Sequence, residues 1–196
     1  RTSPTNIGLY LASLCAMRDF GFLDFQELCA RLEDAFSSIE RMKTHKGLLY
    51  NWYDLETLEP IGDYVSFVDC GNYLALLAAV IGALEEEEDL PRVRALKLRA
   101  KALLERVSLK PLYQPRRNLF CVGLHANTGR MDDSYYDFYM SEARMSSYFA
   151  LTRSDAPKAH WAALKRPLIT RGGYLGQASF SGTGFEYFMP LLLLPL

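Results

Sequence analysis

Residues 71–84 read GNYLALLAAVIGAL and are apolar on almost every side when wound as a helix. Such a helix is buried on most of its faces, because it carries no polar stripe for water to solvate. It therefore needs other helices packed around it. Asp69, just upstream, stands where the N-cap of this helix is expected. The stretch predicts the centre of a helical core.

Two further helices are predicted upstream of that stretch. The first follows the phrase at residues 3–5 and ends at Gly21. The second begins at Asp24, with Glu27 three residues later at capping-box spacing, and stops before residues 43–47. Its apolar stripe consists of Leu28, Leu32, Phe36 and Ile39. The spacing predicts two helices, each with one buried face.

Helical patterning continues downstream. Residues 92–107 mix basic and apolar positions as a surface helix does, behind Asp89 as N-cap. A short strand is predicted near 119–124, a helix over 134–152 and a short helix over 157–165. Successive helix pairs joined by loops predict an all-α fold that forms part of a toroid, with little or no β structure.

Composition limits the function classes. The 196 residues, 49% hydrophobic and 23% charged, fit one globular domain, 1–196, without a linker. The net charge of −1 provides no basic face, so nucleic acid and anionic lipid are not expected partners. The chain begins at Arg1 within a motif-like phrase and ends in an apolar run too short to cross a membrane, which takes roughly 20 residues. We expect a truncated domain that does not itself enter the membrane.

No metal site or cofactor is expected. The four cysteines are widely spaced and are expected to be free, buried thiols: Cys15, Cys29, Cys70 and Cys121. The three histidines show no zinc-ligand spacing with them: His45, His125 and His160.

Glu142 is the first candidate for chemistry. On the predicted helix it falls in one apolar stripe, with Phe138, Met145 and Phe149. A carboxylate in such a stripe is costly to bury unless it is paired or faces a cavity. One interpretation is therefore an ion pair with Arg144 or Arg18 that braces two helices. The other is a general acid whose pKa is raised by apolar surroundings.

Three more residues each allow two interpretations. Asp69 either caps its helix or binds sugar hydroxyls at the mouth of a helical barrel. Trp52, flanked by an amide and a carboxylate, either stacks on a sugar or fills the core. Glu186 follows a glycine-rich stretch that lacks the lysine of a phosphate loop, and either caps its helix or binds a ligand.

Four phrases in order cover essentially the whole chain and together resemble one family. They are RTSPTNIGLYLAS at 1–13, YNWYDLETLEP at 50–60 with VDCGN at 68–72, MDDSYYDFYMSEAR at 131–144, and SGTGFEYFMP at 181–190. The family is the glycoamylase-like domain of bacterial cyclic β-1,2-glucan synthases. The resemblance implies a partial (α/α)6 toroid and a retaining transglycosylase that closes linear β-1,2-glucan into rings.

The resemblance also implies site residues. Glu142 matches the acid/base of the family, and five positions are expected to bind substrate: Trp52, Asp69, Tyr136, Asp137 and Glu186. The second catalytic glutamate is expected beyond Leu196, so the fragment alone is expected to be inactive. The sequence departs from the family pattern at Phe180, at Gly184 and over 138–140. These departures change the expected lining of the cleft and leave Glu142 in place.

The resemblance further implies partners and a location. In that family the domain lies between a membrane-embedded glucosyltransferase and a phosphorylase-like domain, on the cytoplasmic side of the bacterial inner membrane. Two alternatives remain open: a stand-alone, inverting endo-β-glucanase of the same fold, and a non-catalytic fragment that binds glucan or scaffolds its neighbours. Exposed helices could also produce a homo-oligomer.

Overall fold

Seven α-helices and nine short strands occur in the described residues, 1–85 and 90–194, of a computed structural model. The helices are α1 (Pro4–Asp19), α2 (Phe25–Arg41), α3 (Phe67–Ala83), α4 (Pro91–Arg106), α5 (Arg144–Thr152), α6 (Ala159–Ala163) and α7 (Gly184–Phe188). The strands are β1 (Thr44–His45), β2 (Leu48–Leu49), β3 (Tyr64–Ser66), β4 (Tyr113–Gln114), β5 (Leu119–Phe120), β6 (Gly123–His125), β7 (Arg130–Met131), β8 (Leu168–Arg171) and β9 (Tyr174–Gln177).

Helix α3 is the centre of the structure, as its composition predicts. Twelve of its seventeen residues are buried. It packs against α1 on one side and α5 on the other, while α2 and α4 pack against each other and against α1 and α3 respectively. The helices thus form two layers, with α1, α3 and α5 in one and α2 and α4 in the other. None of the helices within 1–85 and 90–194 is long and apolar enough to span a bilayer.

The first two helices begin and end where the sequence predicts. Ser3 accepts a hydrogen bond from the Asn6 amide at 3.3 Å and caps α1. Gly21 has a φ of +74°, which a residue without a side chain adopts at no steric cost, and the chain turns there into α2. Asp24 caps α2 by accepting from the Glu27 amide at 2.8 Å. The predicted stripe of α2 is buried: Leu28, Leu32, Phe36 and Ile39.

The predicted helix over 134–152 is wrong in its first half, because α5 begins only at Arg144. The segment from 132 to 143 is irregular, and its backbone pairs with distant parts of the chain. Its isolated bridges are Cys121 to Tyr135, Phe138 to Lys165 and Met140 to Ser179. These bridges occupy backbone groups that a helix would have used internally. Glu142 therefore precedes α5 and does not lie in a helical stripe.

The expectation of little or no β structure is also not confirmed. The strand predicted near 119–124 is present as β5 and β6, and β6 joins β3 and β7 in a three-stranded antiparallel sheet. In addition, β8 and β9 form a hairpin. Its two-residue loop, Gly172 and Gly173, has φ values of +56° and +81°, the backbone of a type I′ turn. Each strand is two to four residues long, so the fold remains dominated by helices.

The cap of α3 differs from the prediction. Ser66 is the N-cap and accepts from the Asp69 amide at 3.2 Å, so Asp69 lies in the first turn with its carboxylate free for other partners. Asp89, the predicted cap of α4, lies outside the described residues.

Close packing of α3 against α5 depends on Gly71. A Cβ built on Gly71 would lie 1.9 Å from Ser146 Oγ and 2.7 Å from Ser146 Cα. No side chain larger than hydrogen fits without separating the two helices. Gly82, later in the same helix, has no such neighbour within 4 Å in the described part of the chain.

We predict that Gly71→Ala lowers the free energy of unfolding by about 1–3 kcal/mol, because it overpacks a dense interface. Gly82→Ala is the matched control and should stabilise the protein by about 0.5–1 kcal/mol, because alanine has the higher helix propensity. Urea denaturation followed by circular dichroism measures both. Equal effects of the two substitutions would contradict the packing argument.

His160 on α6 is completely buried. Its Nδ1 lies 3.0 Å from the Asn118 carbonyl oxygen and its Nε2 lies 2.9 Å from Ser147 Oγ. Burial lowers the pKa of His160 below its ordinary value of 6.5, although the hydrogen bond to Asn118 acts in the opposite direction. The folded protein therefore holds a neutral imidazole that ties α6 to α5.

We predict that the free energy of unfolding falls as the pH drops below about 6.5, because the unfolded chain then binds a proton that folded His160 resists. Urea denaturation between pH 7.5 and 5.5 tests this dependence. His160→Gln should remove this part of the dependence, whereas the control His45→Gln should retain it. An unchanged slope in His160→Gln would show that other groups cause it.

Candidate active site

A cavity of about 310 Å³ opens where the N-terminal ends of α1 and α3 meet the irregular segment before α5. We call it the Glu142 cavity. Four of the six predicted site residues line it: Trp52, Asp69, Tyr136 and Glu142. Asp137 and Glu186 are not in its lining. Phe185 of α7, more than half exposed, stands at its edge.

Glu142 has one weakly bonded and one unpartnered oxygen. Its Oε1 accepts from the Tyr136 hydroxyl at 3.4 Å, and its buried Oε2 has no hydrogen-bond partner among the described residues. Burial raises the pKa of Glu142, and the charge of Glu186 adds to this, while hydrogen bonds from its own backbone and from Tyr136 partly oppose it. Raised in this way, the pKa favours a carboxyl group that still carries its proton when exposed glutamates have ionised.

The bracing ion pair with Arg144 is not formed in the described structure. The Arg144 guanidinium instead donates to Met140 Sδ at 3.2 Å and to the Tyr187 carbonyl oxygen at 3.5 Å. Arg18, the other partner considered, pairs with Asp19 at 2.6 Å. Glu142 thus remains available to a ligand.

Asp69 is held by residues from two other segments. One oxygen, Oδ1, accepts from Thr5 Oγ1 at 2.7 Å. The other, Oδ2, accepts from the Asn51 amide nitrogen at 2.9 Å when that amide is oriented so that its oxygen accepts from Trp52 Nε1 at 3.0 Å. Asp69 is therefore fixed in direction and acts as a hydrogen-bond acceptor at the cavity.

Asn72 extends this hydrogen-bond network. The direction of each hydrogen bond in it follows from the chemistry of Asp69. A carboxylate only accepts, so the Thr5 hydroxyl donates to Asp69 and its oxygen accepts from Asn72 Nδ2, at 3.1 Å. Asn72 Oδ1 is left buried and without a partner within the described residues. A buried, unpaired acceptor costs free energy unless a donor reaches it.

Trp52 and Tyr136 supply aromatic surface. Trp52 is half-buried, and the Arg1 guanidinium lies 4.3 Å from the centre of its ring. Tyr136 is buried and packs against Phe180, with ring centres 5.3 Å apart. Burial raises the pKa of Tyr136, and the charge of Glu142 reinforces the effect, so Tyr136 keeps its proton and donates it in a hydrogen bond.

Asp137 is engaged away from the cavity. Its Oδ2 pairs with Lys165 Nζ at 2.5 Å, and its backbone oxygen accepts from the Lys165 amide at 2.6 Å. The structure thus places this predicted substrate-binding residue in a contact between the irregular segment and the end of α6.

Glu186 is almost completely buried, at 1% exposure. Its carboxylate accepts from the Ser181 amide and hydroxyl, the Gly182 amide and the Thr183 amide, at 2.8–3.1 Å. With Thr183 it forms a capping box at the start of α7. Burial raises the pKa of Glu186, but the hydrogen bonds from Ser179, Thr183 and Ser181 together outweigh it and lower the pKa. Of the two interpretations of Glu186, helix capping and ligand binding, the geometry matches helix capping.

The sequence did not single out Thr5, Asn51 or Asn72 as site residues. All three lie within the phrases RTSPTN, YNWYD and VDCGN that carried the family resemblance. Thr5 is 64 residues from Asp69 and 67 from Asn72, so no local spacing shows that they meet. No group of three or more His, Cys, Asp or Glu side chains in the described ranges could hold a metal ion.

No family model matches the chain. Its fold is that of glucoamylase-like proteins and endo-β-1,2-glucanases, which belong to the helical toroid class. A Glu-to-Gln variant of an endo-β-1,2-glucanase from Talaromyces funiculosus, in complex with β-1,2-glucan, superposes with a TM-score of 0.79 at 13% identity. A glucoamylase-like protein of Bacteroides fragilis gives 0.74 at 16% identity. The match covers 99% and 94% of this chain, and 48% and 47% of those structures.

The sequence is similar to the cyclic β-(1,2)-glucan synthase NdvB of Rhizobium meliloti (strain 1021), with 25% identity. The match covers 99% of this chain and 11% of the relative, so the chain spans only a small part of that protein's length. The alignment extends over 318 positions against 196 residues here, so the relative carries residues within the matched region that have no counterpart in this chain. The predicted resemblance to this family is confirmed.

We predict that Thr5→Val lowers the free energy of unfolding by about 1–3 kcal/mol, because it leaves polar atoms of Asp69 and Asn72 unpaired in a largely buried site. Thr57→Val is the matched control, since it removes a Thr–Asp hydrogen bond of 3.2 Å that is exposed. Its cost should stay within about 0.5 kcal/mol. Urea denaturation compares the two. Equal losses in the free energy of unfolding would contradict the argument that the buried hydrogen bonds contribute more than the exposed one.

Proposed function

We propose that this chain is part of a β-1,2-glucan-processing enzyme in which Glu142 acts first as a proton donor and then as a base. The observation that carries the proposal is the Glu142 cavity. It combines a carboxyl group of raised pKa with an aromatic ring and a row of fixed polar groups. Sugar sites commonly need these three features: a ring to stack on, hydrogen-bond partners for hydroxyls, and an acid for the glycosidic oxygen.

Proton transfer would begin from neutral Glu142. Its proton moves to the glycosidic oxygen as the bond to the anomeric carbon breaks, which makes the departing sugar a better leaving group. In a retaining reaction a second carboxylate, expected beyond Leu196, would bond to the anomeric carbon as the leaving group departs. The Glu142 carboxylate would then remove a proton from the incoming hydroxyl, whose oxygen displaces that second carboxylate. The incoming group is a hydroxyl of the same glucan in cyclisation, and water in hydrolysis.

Binding would use other residues of the cavity lining. The Trp52 ring offers a surface on which a glucosyl unit can stack. Asp69 and the unpartnered Asn72 Oδ1 are acceptors for sugar hydroxyls, and Thr5 keeps both in position. A sugar hydroxyl that donated to Asn72 Oδ1 would satisfy this buried amide oxygen, which has no partner within the described residues. Asp137 and Glu186 would support the surrounding loops.

For the longer protein we propose the family reaction: retaining transglycosylation that closes linear β-1,2-glucan into rings. It would take place beside glucosyltransferase and phosphorylase-like domains of one chain, on the cytoplasmic side of a bacterial inner membrane. From the family resemblance we expect the second catalytic glutamate beyond Leu196. Residues 1–196 alone would therefore bind glucan without turning it over.

Hydrolysis is the second candidate, and two observations favour it. The superposable Talaromyces funiculosus protein is an endo-β-1,2-glucanase. In addition, Asp69 places a second carboxylate in the same cavity as Glu142. An inverting hydrolase needs a base that activates water opposite the acid, with about 6.5–9.5 Å between the two carboxyl groups. A non-catalytic, glucan-binding role is the third possibility.

Incubating linear β-1,2-glucan with the longer parent protein, followed by mass spectrometry, tests the three candidates. Rings are lighter by one water than linear chains of equal length and would support the transglycosylase. Shortened linear chains would support the hydrolase. Binding with no change in the glucan would leave only the non-catalytic role.

We predict that Glu142→Gln in the parent protein lowers kcat by at least about 100-fold, because glutamine cannot donate the required proton. Glu105→Gln, an exposed glutamate on α4, is the control and should leave kcat unchanged. Initial rates on linear β-1,2-glucan provide the comparison. Full activity of Glu142→Gln would remove Glu142 from the mechanism.

A further inference from the structure

The Glu142 cavity is small for a polymeric ligand. Its volume of about 310 Å³ lies at the lower end of the roughly 300–1,000 Å³ that ligand pockets in proteins span. A glucan of many units cannot lie wholly inside a cavity of this size. Glucosyl units next to those at Glu142 must therefore cross the edge of the cavity, and the residues that form this edge determine how those units are held.

Phe185 is the residue that α7 contributes to this edge. It belongs to the cavity lining, yet 55% of its surface is exposed to solvent. Phe188, one turn later on α7, is 68% exposed and is not in the lining. An exposed aromatic ring leaves a large apolar area in water, and covering that area with a ligand gains free energy. Phe185 thus offers apolar surface at the point where a polymer would leave the cavity.

The first turn of α7 is fixed by Glu186. This helix has only five residues, and a helix so short is not stable without support from its surroundings. The buried Glu186 carboxylate accepts from three backbone amides of the preceding loop: Ser181, Gly182 and Thr183. The Thr183 hydroxyl accepts from the Glu186 amide in return, at 3.4 Å. These bonds fix the turn that carries Phe185, which directly precedes Glu186.

Contacts on both sides of that turn hold α7 beside the cavity. The Phe180 amide donates to the Met140 carbonyl oxygen at 2.9 Å, which joins the loop before α7 to the segment before α5. The Phe180 ring packs against the cavity residue Tyr136, with ring centres 5.3 Å apart. Arg144, at the start of α5, donates to the Tyr187 carbonyl oxygen at 3.5 Å. The aromatic ring at the edge is therefore carried by backbone that is attached to the cavity wall.

We infer that Phe185 binds glucan at the edge of the Glu142 cavity, where its ring stacks on a glucosyl unit adjacent to those inside. Glu186, which is buried and outside the cavity lining, is then a positioning residue that acts through Phe185 and does not contact the sugar. The C–H face of a glucosyl ring is apolar and packs on an aromatic ring. The inference rests on the proposed function, because it adds a contact for the same polymer.

A contact at the edge makes affinity depend on the length of the glucan. The shortest oligosaccharides occupy the cavity and do not reach Phe185. Longer oligosaccharides extend over the edge and gain the additional stacking contact. Loss of the Phe185 ring should therefore weaken the binding of long ligands and spare short ones, whereas general damage to the cavity weakens the binding of all of them.

Isothermal titration calorimetry of this chain with β-1,2-linked gluco-oligosaccharides, from disaccharide to heptasaccharide, tests the inference. Phe185→Ala should raise the Kd of the heptasaccharide by about 5- to 10-fold and that of the disaccharide by less than about 2-fold. Phe188→Ala is the matched control and should leave every Kd unchanged, because it removes an exposed ring of the same helix outside the lining. In Phe185→Ala, equal losses at all lengths or no loss at any length would overturn the inference. So would an equal loss in Phe188→Ala.

Three further variants separate stacking from the packing of α7. Phe185→Tyr keeps an aromatic ring and should bind the heptasaccharide as the wild type does. Phe185→Leu keeps an apolar side chain without a ring and should resemble Phe185→Ala; wild-type binding by Phe185→Leu would overturn the stacking contact. Folded Glu186→Gln should reproduce the length-dependent loss, because the glutamine side-chain amide turns a donor towards the backbone donors of the loop. Wild-type binding at every length would overturn the role of Glu186.

Kinetics of the longer parent protein test the contact in the presence of its other domains. In Phe185→Ala the KM for long linear β-1,2-glucan should rise by about 5- to 10-fold with kcat little changed, because the lost contact lies away from the reacting bond. An unchanged KM would show that other parts of the parent cover Phe185 and would overturn the inference. If the wild-type chain and the parent bound no β-1,2-glucan of any length, the proposed function itself would be contradicted.

Discussion

The structure depends on the close approach of α3 to its two neighbours. Gly8 of α1 faces Leu76 of α3, where an added Cβ would lie 3.0 Å from the leucine side chain, and Gly71 of α3 faces Ser146 of α5 more tightly still. Without side chains at these two positions, three helices pack side by side at short range. The first turns of α1 and α3 and the segment before α5 then converge on one cavity, so the site follows from helix packing and not from any single motif.

The acidic groups in and near the cavity differ in how many hydrogen-bond donors reach them. Asp69 accepts hydrogen bonds from Thr5 and Asn51. Glu142 accepts only a long hydrogen bond from Tyr136 among the described residues, and burial raises its pKa. Glu186, outside the cavity lining, accepts hydrogen bonds from its own loop. The cavity thus combines a carboxyl group of raised pKa with fixed hydrogen-bond acceptors.

Apolar periodicity predicted the wrong secondary structure where the backbone pairs with distant parts of the chain. The segment from 132 to 143 has helical spacing in its apolar residues, yet bridges to Cys121, Lys165 and Ser179 draw it out of a helix. The partners of those bridges lie 14 to 39 residues away along the chain, beyond the reach of a periodicity argument. Asp69 likewise lost the capping role to Ser66, because β3 extends the chain up to Ser66 and α3 begins directly after it.

The sequence by itself determined the helices whose faces are unambiguous: α1, α2, α3 and α4, with a central helix buried on most sides. It also singled out Glu142, Asp69, Trp52 and Tyr136, through phrases that resemble one family. Only the tertiary structure decided that these four share a cavity, that Asp137 and Glu186 lie outside its lining, and that Thr5 and Asn72 join it. The reason is physical: apolar periodicity records which face of an element is buried, whereas hydrogen bonds between elements depend on how those faces meet.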